Sequence, residues 1–269
     1  KYERYSGKYH SNAHMSIYPN ILVTNDDGIY SPGIFALWSA MKELGTVTVV
    51  APDTEKSAVG HAITISDPIR IQKCNRHDGF EGYSVDGTPA DCVKIAVNAL
   101  CDRTPDIVVS GINSGANVGN NIIYSGTVSA ATEGTICNIP SIAFSLASQK
   151  YNDYNYCALI TKKVVNAVLQ NGLPKGTLLN VNIPPLSEDK IKGIKVTKQG
   201  HVYFKDRFEK REDPRGRQYY WMTGESVNPT DEADLDSTVL ENGYVSITPI
   251  HYELTNTQFF SKLTEWDFS

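Results

Sequence analysis

Short apolar runs alternate with amphipathic stretches along residues 20–183. An apolar run closed by polar turn residues is typical of a buried parallel strand, and apolar positions that recur every three to four residues are typical of a helix. Such an alternation of strands and helices predicts an α/β fold, a Rossmann-like, three-layer, doubly wound and mostly parallel sheet. The pattern predicts strands at 20–25, 46–51, 106–110, 140–146 and 178–183, and helices at 32–44, 89–101, 125–134 and 155–170.

Residues 61–73 and 80–85 follow a different pattern, in which apolar and polar side chains alternate. This period predicts antiparallel or edge strands beside the main sheet. Residues 1–14 are polar and aromatic and lack the apolar segment of a signal peptide. We expect them to be a leader that precedes a natural initiator methionine, and they carry no fold prediction.

The character of the chain changes beyond the prolines at 184–185. Residues 201–217 mix basic, acidic and aromatic side chains, the segment that follows turns acidic, and neither has the period of a core element. We therefore predict one α/β domain over residues 15–185. Residues 186–269 are predicted to form an extension of strands and hairpins that makes oligomer contacts and walls of the site.

The composition excludes several classes of protein. With 41% hydrophobic and 20% charged residues and a net charge of -5, the chain has no basic excess, so we expect no binding to large nucleic acids. We expect no membrane-spanning segment, because no apolar run reaches the roughly 18 residues that a span requires. Five scattered cysteines without a C-x-x-C pair favour reduced thiols and a cytoplasmic location.

Polar loops follow the first three predicted strands, and ligands gather at the carboxyl ends of such strands. Asp26 and Asp27 follow the first strand, Ser57 lies in the loop after the second, and Asn113 and Asn117 follow the third. Two adjacent carboxylates repel each other unless a cation lies beside them, and hard oxygen ligands suit Mg²⁺, Mn²⁺ or Ca²⁺. The alternative is that the aspartates cap the next helix and that the asparagines only form turns.

A small-residue segment, Ser125-Gly126-Thr127, opens the helix after the third loop. Free backbone N–H groups at a helix start bind anionic oxygens, so this segment is a candidate phosphate site. The alternative is a simple Ser or Thr N-cap. The chain has neither G-x-x-x-x-G-K-[ST] nor G-x-G-x-x-G, which disfavours a P-loop enzyme and a dinucleotide-binding enzyme.

Six stretches follow one another in order along residues 20–185: ILVTNDDGIYSPG at 21–33, VVAPDTEKSAVGHAIT at 49–64, GTPADC at 87–92, PDIVVSGINSGANVG at 105–119, YSGTVSAATEG at 124–134 and NVNIPP at 180–185. Together they resemble the SurE family, the survival-protein phosphatases that are also described as 5′-nucleotidases. One departure is the pair at 120–121, two asparagines where we expect family members often to carry an acidic residue.

The resemblance implies that Asp26, Asp27, Ser57 and Asn113 hold one divalent metal ion per subunit. It implies hydrolysis of nucleoside monophosphates to nucleoside and phosphate, and leaves 3′-nucleotidase and exopolyphosphatase activity open. It also implies that the segment from Ser125 to Thr127 lies on the phosphate side, and that the chain forms a homodimer or homotetramer by exchanging C-terminal arms.

A mechanism follows from these assignments. Asp26 or Asp27 would take a proton from the attacking water, while Asn117 and the Ser125 loop would hold the charge that builds on the phosphoryl group. A route through an aspartyl phosphate is the mechanistic rival. The functional rival is a non-catalytic module that binds nucleotide or metal for regulation.

Overall fold

The structure is a computed structural model that describes residues 18–76, 78–150, 153–230 and 232–268. The leader expected at 1–14 lies outside the described residues. No helix among these residues is both long enough and apolar enough to cross a membrane. The strands are β1 (Asn20–Thr24), β2 (Thr46–Pro52), β3 (Ile71–Asn75), β4 (Glu81–Val85), β5 (Ile107–Ser114), β6 (Ser141–Leu146), β7 (Thr177–Ile183), β8 (Ile194–Val196), β9 (Tyr203–Glu212), β10 (Gln218–Val227) and β11 (Val245–His251).

The helices alternate with the strands as the sequence predicts. Ser31 caps the first helix by accepting a hydrogen bond from the backbone N–H of Ile34, and a proline occupies the first turn, where its missing N–H is not needed. The helices are α1 (Pro32–Met41), α2 (Pro89–Ile95), α3 (Gly126–Ile136), α4 (Asn155–Asn171), α5 (Asp236–Glu241) and α6 (Thr257–Leu263), with shorter helical turns at Ala96–Leu100, Gly119–Tyr124 and Glu188–Lys190.

One nine-stranded sheet has the order β3-β4-β2-β1-β5-β6-β7-β11-β8. The strands from β4 to β7 in this order run parallel, whereas β3 is antiparallel to β4 and β11 is antiparallel to β7. This confirms the predicted α/β fold with a mostly parallel sheet. Because β1 pairs with β2 on one side and with β5 on the other, the winding reverses between β1 and β5, and ligands bind at such a point.

Apolar side chains cover both faces of the sheet, as the apolar strand runs predict. Ile21 and Val23 point to one face, where they join the core with α1 and α4. Leu22 points to the other face and packs in the cluster that contains residues of α2 and α3. The alternation along β1 thus places two helices on each side of the sheet and gives the three layers.

The strand predicted over 61–73 is wrong for residues 61–70, which form no strand. Only β3 forms, as an antiparallel edge strand beside β4, in agreement with the predicted type of pairing. The physical reason is that the preceding segment bonds to helices instead of to a neighbouring strand. The backbone N–H and the hydroxyl of Thr64 both donate to Asp91 of α2.

The main sheet continues past residue 185. β11 pairs with β7 over six residues and β8 pairs with β11, and Val245 belongs to the core. By contrast, β9 and β10 form a separate antiparallel hairpin whose residues are almost all exposed. The predicted C-terminal hairpin is therefore confirmed, while the assignment of residues 186–269 to oligomer contacts stays a prediction.

Candidate functional site

A tight turn at the end of β1 presents the two aspartates. The side-chain amide of Asn25 donates to the carbonyl oxygen of Gly28 at 2.9 Å and to Ser31 Oγ at 2.8 Å. Gly28 has φ +94°, a conformation that side chains rarely adopt, so glycine is required at the turn. These bonds fix Asp26 and Asp27 between the carboxyl end of β1 and the start of α1.

Asp26 lies against the N-terminus of α3. The residue is 4% exposed, and Thr127 Oγ1 donates to Asp26 Oδ1 at 2.5 Å. A Cβ atom on Gly126 would lie 2.7 Å from Asp26 Cβ, so the small residue at the helix start makes this approach possible. Burial raises the pKa of Asp26 above its ordinary value, although the hydrogen bonds from Thr127 oppose that shift. The positive end of the helix dipole also favours the carboxylate.

Asp27 lies beside it and contacts the end of β5. Its Oδ2 accepts a hydrogen bond from the backbone N–H of Ser114 at 3.2 Å. Burial, followed by the neighbouring charge of Asp26, raises the pKa of Asp27 to about 6, and Glu55 adds to the shift. Asp26 and Asp27 thus form a pair of neighbouring acids, which a divalent cation would stabilise.

β5 extends to Ser114, four residues beyond the strand that the sequence predicts, and its register with β6 shifts between Ser110 and Asn113. This extension carries Asn113 to the same edge as Asp27. The side-chain NH₂ of Asn113 donates to the carbonyl oxygen of Gly115 at 2.8 Å, which leaves the amide oxygen as an acceptor. A neutral oxygen of this kind suits a hard metal.

The loop with Ser57 runs next to the aspartate turn, because the backbone N–H of Lys56 donates to the carbonyl oxygen of Asp26 at 2.8 Å. Ser57 is exposed, and its hydroxyl donates to Glu55 Oε1 at 2.6 Å. No cluster of three or more His, Cys, Asp or Glu side chains suited to a metal occurs among the described residues. A metal at the two aspartates would therefore need neutral oxygens to complete its ligand set.

Two buried acids, which sequence reasoning missed, anchor the segment after Ser57. Asp91 is 2% exposed and accepts the bonds from Thr64, and these bonds outweigh burial and lower its pKa. Glu133 accepts from His61 at 2.8 Å and from Lys94 at 2.7 Å, and its pKa is also lowered against the effect of burial. The capping box at the start of α2, Thr88 to Asp91, was a signal in the sequence for the first anchor.

The predicted phosphate segment lies at the start of α3, and its hydroxyls already have partners. Ser125 Oγ accepts from the backbone N–H of Val128 at 3.1 Å, as an N-cap does, and Thr127 bonds to Asp26. The structure therefore places the segment from Ser125 to Thr127 beside Asp26. Whether phosphate binds there stays a prediction.

Asn117 is buried in a network of amides at the ends of β6 and β7. Its side-chain NH₂ donates to Ser145 Oγ at 2.9 Å, and its backbone N–H donates to Asn182 Oδ1 at 2.8 Å. Its carbonyl oxygen accepts from the side chains of Asn180 and Asn182. These bonds fix the loop after β5. That Asn117 contacts the phosphate stays a prediction.

Comparisons with known proteins identify the family to which the chain is similar. The family model described as "Survival protein SurE" matches residues 21–206. The chain is similar to "5'-nucleotidase SurE" of Syntrophobacter fumaroxidans, with 49% identity over 92% of this chain and 99% of the relative, and to "5'-nucleotidase SurE" of Christiangramia forsetii, with 49% identity over 93% and 98%. Among solved structures, the "Sure Protein from Aquifex aeolicus" aligns with a TM-score of 0.80 at 45% identity, over 91% of this chain and 98% of that one.

Proposed function

The chain belongs to the SurE family, and from this we propose that it is a 5′-nucleotidase, a phosphomonoesterase that hydrolyses nucleoside monophosphates to nucleoside and phosphate. One observation carries the proposal. Asp26 and Asp27 lie side by side at the point where the sheet reverses its winding; burial raises the pKa of both, and the charge of Asp26 raises that of Asp27 further. Such a pair is expected at a functional site.

The donor atoms at this point fit a divalent metal. We propose that Asp26, Asp27, Asn113 and Ser57 hold one ion per subunit, because two carboxylates with an amide and a hydroxyl oxygen suit Mg²⁺, Mn²⁺ or Ca²⁺. Ser57 would exchange its present bond to Glu55 for the ion. When bound, the metal would supply charge to polarise a phosphate oxygen and to favour deprotonation of water.

The protein's own groups divide the remaining work. Asp27 is the proposed general base, because it is less buried than Asp26 and is therefore the more accessible of the two carboxylates to an attacking water. Asp26, held by Thr127, fixes the position of the first turn of α3. The N–H groups of that turn, with Ser125 and Asn117, are proposed to hold the phosphoryl oxygens.

Phosphate release from nucleoside 5′- and 3′-monophosphates, polyphosphate and p-nitrophenyl phosphate tests this function. Each substrate is assayed with chelator and with Mg²⁺, Mn²⁺ or Ca²⁺ added back. We expect metal-dependent turnover with the 5′-monophosphates. Nucleotide binding without release of phosphate under any of these conditions would instead indicate a non-catalytic regulatory module, and a trapped aspartyl phosphate would indicate the covalent route.

We further propose that the chain is a homodimer or homotetramer in the cytoplasm. Exposed aromatic side chains on the β9–β10 hairpin support the oligomer, among them Phe208, Tyr220 and Trp221, each more than half exposed. The C-terminal segment adds Phe260 and Trp266. Apolar surface of this extent is typical of a protein interface. The free thiols of all five cysteines support the cytoplasmic location.

A further inference from the structure

Asp236, at the start of α5, is fully buried, and its carboxylate accepts hydrogen bonds from three backbone N–H groups. Oδ1 accepts from Gly200 at 2.9 Å and from Ser237 at 2.7 Å, whereas Oδ2 accepts from Gly119 at 3.0 Å. Burial raises the pKa of Asp236, and the three hydrogen bonds oppose this shift. Because a buried carboxylate is costly unless hydrogen bonds replace its hydration, these N–H groups hold the side chain in one position.

The bond to Gly119 joins two distant parts of the chain. Gly119 lies 117 residues before Asp236, in the segment that follows β5, whereas Asp236 belongs to the C-terminal extension. Gln199, also in the extension, donates from Nε2 to the carbonyl oxygen of Gly119 at 3.0 Å. Gly119 has φ +57°, and a Cβ atom there would lie 2.5 Å from the backbone nitrogen of Val202. The extension therefore binds both the N–H and the carbonyl oxygen of a position that favours glycine.

Gly119 begins the short helical segment at residues 119–124, which we call the 119–124 turn, and Ser125 follows it directly. Gly119 and Ile122 are the buried residues of this turn, whereas Ile123 is 69% exposed. Apolar packing thus holds only part of the turn, and its position depends on the hydrogen bonds at its start. Because the N–H of Ser125 donates to the carbonyl oxygen of Ile122 at 3.3 Å, a displaced turn would also displace Ser125.

Ser125 is the N-cap of α3 and one of the groups proposed to hold the phosphoryl oxygens. The body of α3 does not depend on the 119–124 turn, because nine of its eleven residues are buried. Asp26 and Asp27 are held separately, by the turn that the side chain of Asn25 fixes. A shift of the 119–124 turn should therefore change the phosphate side of the site and leave the two aspartates in place.

We propose that Asp236 is a positioning residue for the phosphate side of the site. Through its bond to Gly119 it fixes the 119–124 turn and thereby the place of Ser125. This assignment rests on the proposed 5′-nucleotidase function, in which Ser125 contacts the phosphoryl group. It gives the C-terminal extension a part in the site that requires no contact with the substrate. The alternative is a carboxylate that only stabilises the packing of α5.

The variant Asp236→Asn should break the bond to Gly119 selectively. An asparagine has a single side-chain oxygen, and the orientation that keeps this oxygen at Gly200 and Ser237 retains two of the three bonds. Its NH₂ group then faces the N–H of Gly119, and two donors cannot form a hydrogen bond. The start of α5 thus stays attached to Gly200 while Gly119 is released.

A second variant and a control accompany this change. Gln199→Leu removes the contact to the carbonyl oxygen of Gly119 without altering any charge. Asp234→Asn is the matched control, because it makes the same chemical change two residues away, at an exposed carboxylate that pairs with Lys198. We expect Gln199→Leu to act in the same direction as Asp236→Asn, and Asp234→Asn to behave as the wild type.

Calorimetric titration with inorganic phosphate in excess Mn²⁺ measures the phosphate side without turnover. We expect the dissociation constant of phosphate to rise about 2- to 12-fold in Asp236→Asn, as for the loss of one hydrogen bond. The kcat for adenosine 5′-monophosphate should fall about 10- to 100-fold, because misplaced donors stabilise the transition state less. The dissociation constant of Mn²⁺, titrated without phosphate, should be unchanged because the aspartates keep their positions.

Amide hydrogen exchange, followed by mass spectrometry, shows where the variants differ from the wild type. We expect faster exchange in peptides that cover residues 115–125 of Asp236→Asn and Gln199→Leu, since the hydrogen bonds that hold this segment are lost. Peptides that cover Asp26 and Asp27 should exchange at the wild-type rate.

A purely structural Asp236 would give a lower melting temperature with wild-type phosphate affinity and kcat, and this result would overturn the proposal. Equal losses of Mn²⁺ and phosphate affinity would also overturn it, because the whole site would then be disturbed. If Asp236→Asn did not fold, Gln199→Leu would decide by the same criteria. If the wild type bound no phosphate and hydrolysed no nucleotide, the proposed function would fail, while hydrogen exchange would still decide whether Asp236 fixes the 119–124 turn.

Discussion

Replacing Asp27 with asparagine tests the charges at the candidate site. Burial and the charge of Asp26 raise the pKa of Asp27 from 3.8 to about 6. The ionised carboxylate therefore lowers the free energy of unfolding of the metal-free protein by at most about 3 kcal/mol. Asp27→Asn keeps the size of the side chain and removes its charge. We therefore expect the metal-free variant to be more stable than the wild type at about pH 8, by about 1 to 3 kcal/mol.

The effect should depend on pH with a definite sign. Because the folded-state pKa of Asp27 lies above the unfolded value, its stabilising contribution is fully present below pH 3.8 and is lost as the pH rises through about 6. The advantage of Asp27→Asn should therefore be small near pH 4 and largest at about pH 8. Thermal melts in chelator at the higher pH should place the variant roughly 2 to 12 °C above the wild type.

Added Mn²⁺ should reverse this order. A metal that binds only the folded protein stabilises it by about 2.7 kcal/mol at a concentration 100 times its dissociation constant, and the variant should gain less. Metal-stimulated turnover should fall by about 10²- to 10⁴-fold if Asp27 is the general base. Asp102→Asn, an exposed change before β5, is the matched control and should alter neither property.

The reasoning would be refuted by a variant that melts lower than the wild type in chelator and retains full metal-stimulated turnover. Asp27 would then stabilise the turn as a cap, a contribution of about 0.3 to 1 kcal/mol near a helix N-terminus. The metal assignment would be wrong in that case.

Three further changes test other parts of the structure. Gly126→Ala places a Cβ atom 2.7 Å from that of Asp26, so metal affinity in a Mn²⁺ titration should fall and stability should drop by about 1 to 3 kcal/mol. Asp91→Asn removes the charge that anchors Thr64, so urea unfolding should show a loss of about 1.5 to 3 kcal/mol and trypsin should cut faster after Lys56. Trp221→Glu puts charge on the exposed hairpin, and light scattering should show a smaller particle.

Local patterns in the sequence were sufficient for the layers of the fold. Apolar runs can satisfy their burial only inside a covered sheet, so β1, β2, β6 and β7 were predictable to within one or two residues. The capping signals before α1 and α2 also depend on neighbouring residues, which the sequence displays directly. The polar loops after β1, β2 and β5 could be selected as the candidate site once these strands were predicted, because ligands bind at the carboxyl ends of parallel strands.

The alternation of apolar and polar residues did not predict the structure of segments whose pairing depends on long-range contacts. Residues 61–70 have the period of a strand, yet they form none. Thr64 bonds to Asp91 of α2, 27 residues away, so the segment is held at a helix instead of pairing with a strand. β11 has no local mark that distinguishes a sheet strand from a hairpin strand, and its pairing with β7 exists only in the folded chain. Periodicity describes one element, whereas pairing depends on which elements meet.

The sequence by itself determined which residues could serve as oxygen ligands, because Asp26, Asp27 and Asn113 follow apolar runs that predict buried strands. Only the tertiary structure decided their environments. It placed Asp26 against Thr127 at a helix start, raised the pKa of Asp27 by burial, and enclosed Asn117 among other amides. The physical reason is that desolvation and hydrogen bonding depend on groups distant in the chain, which no local pattern of residues specifies.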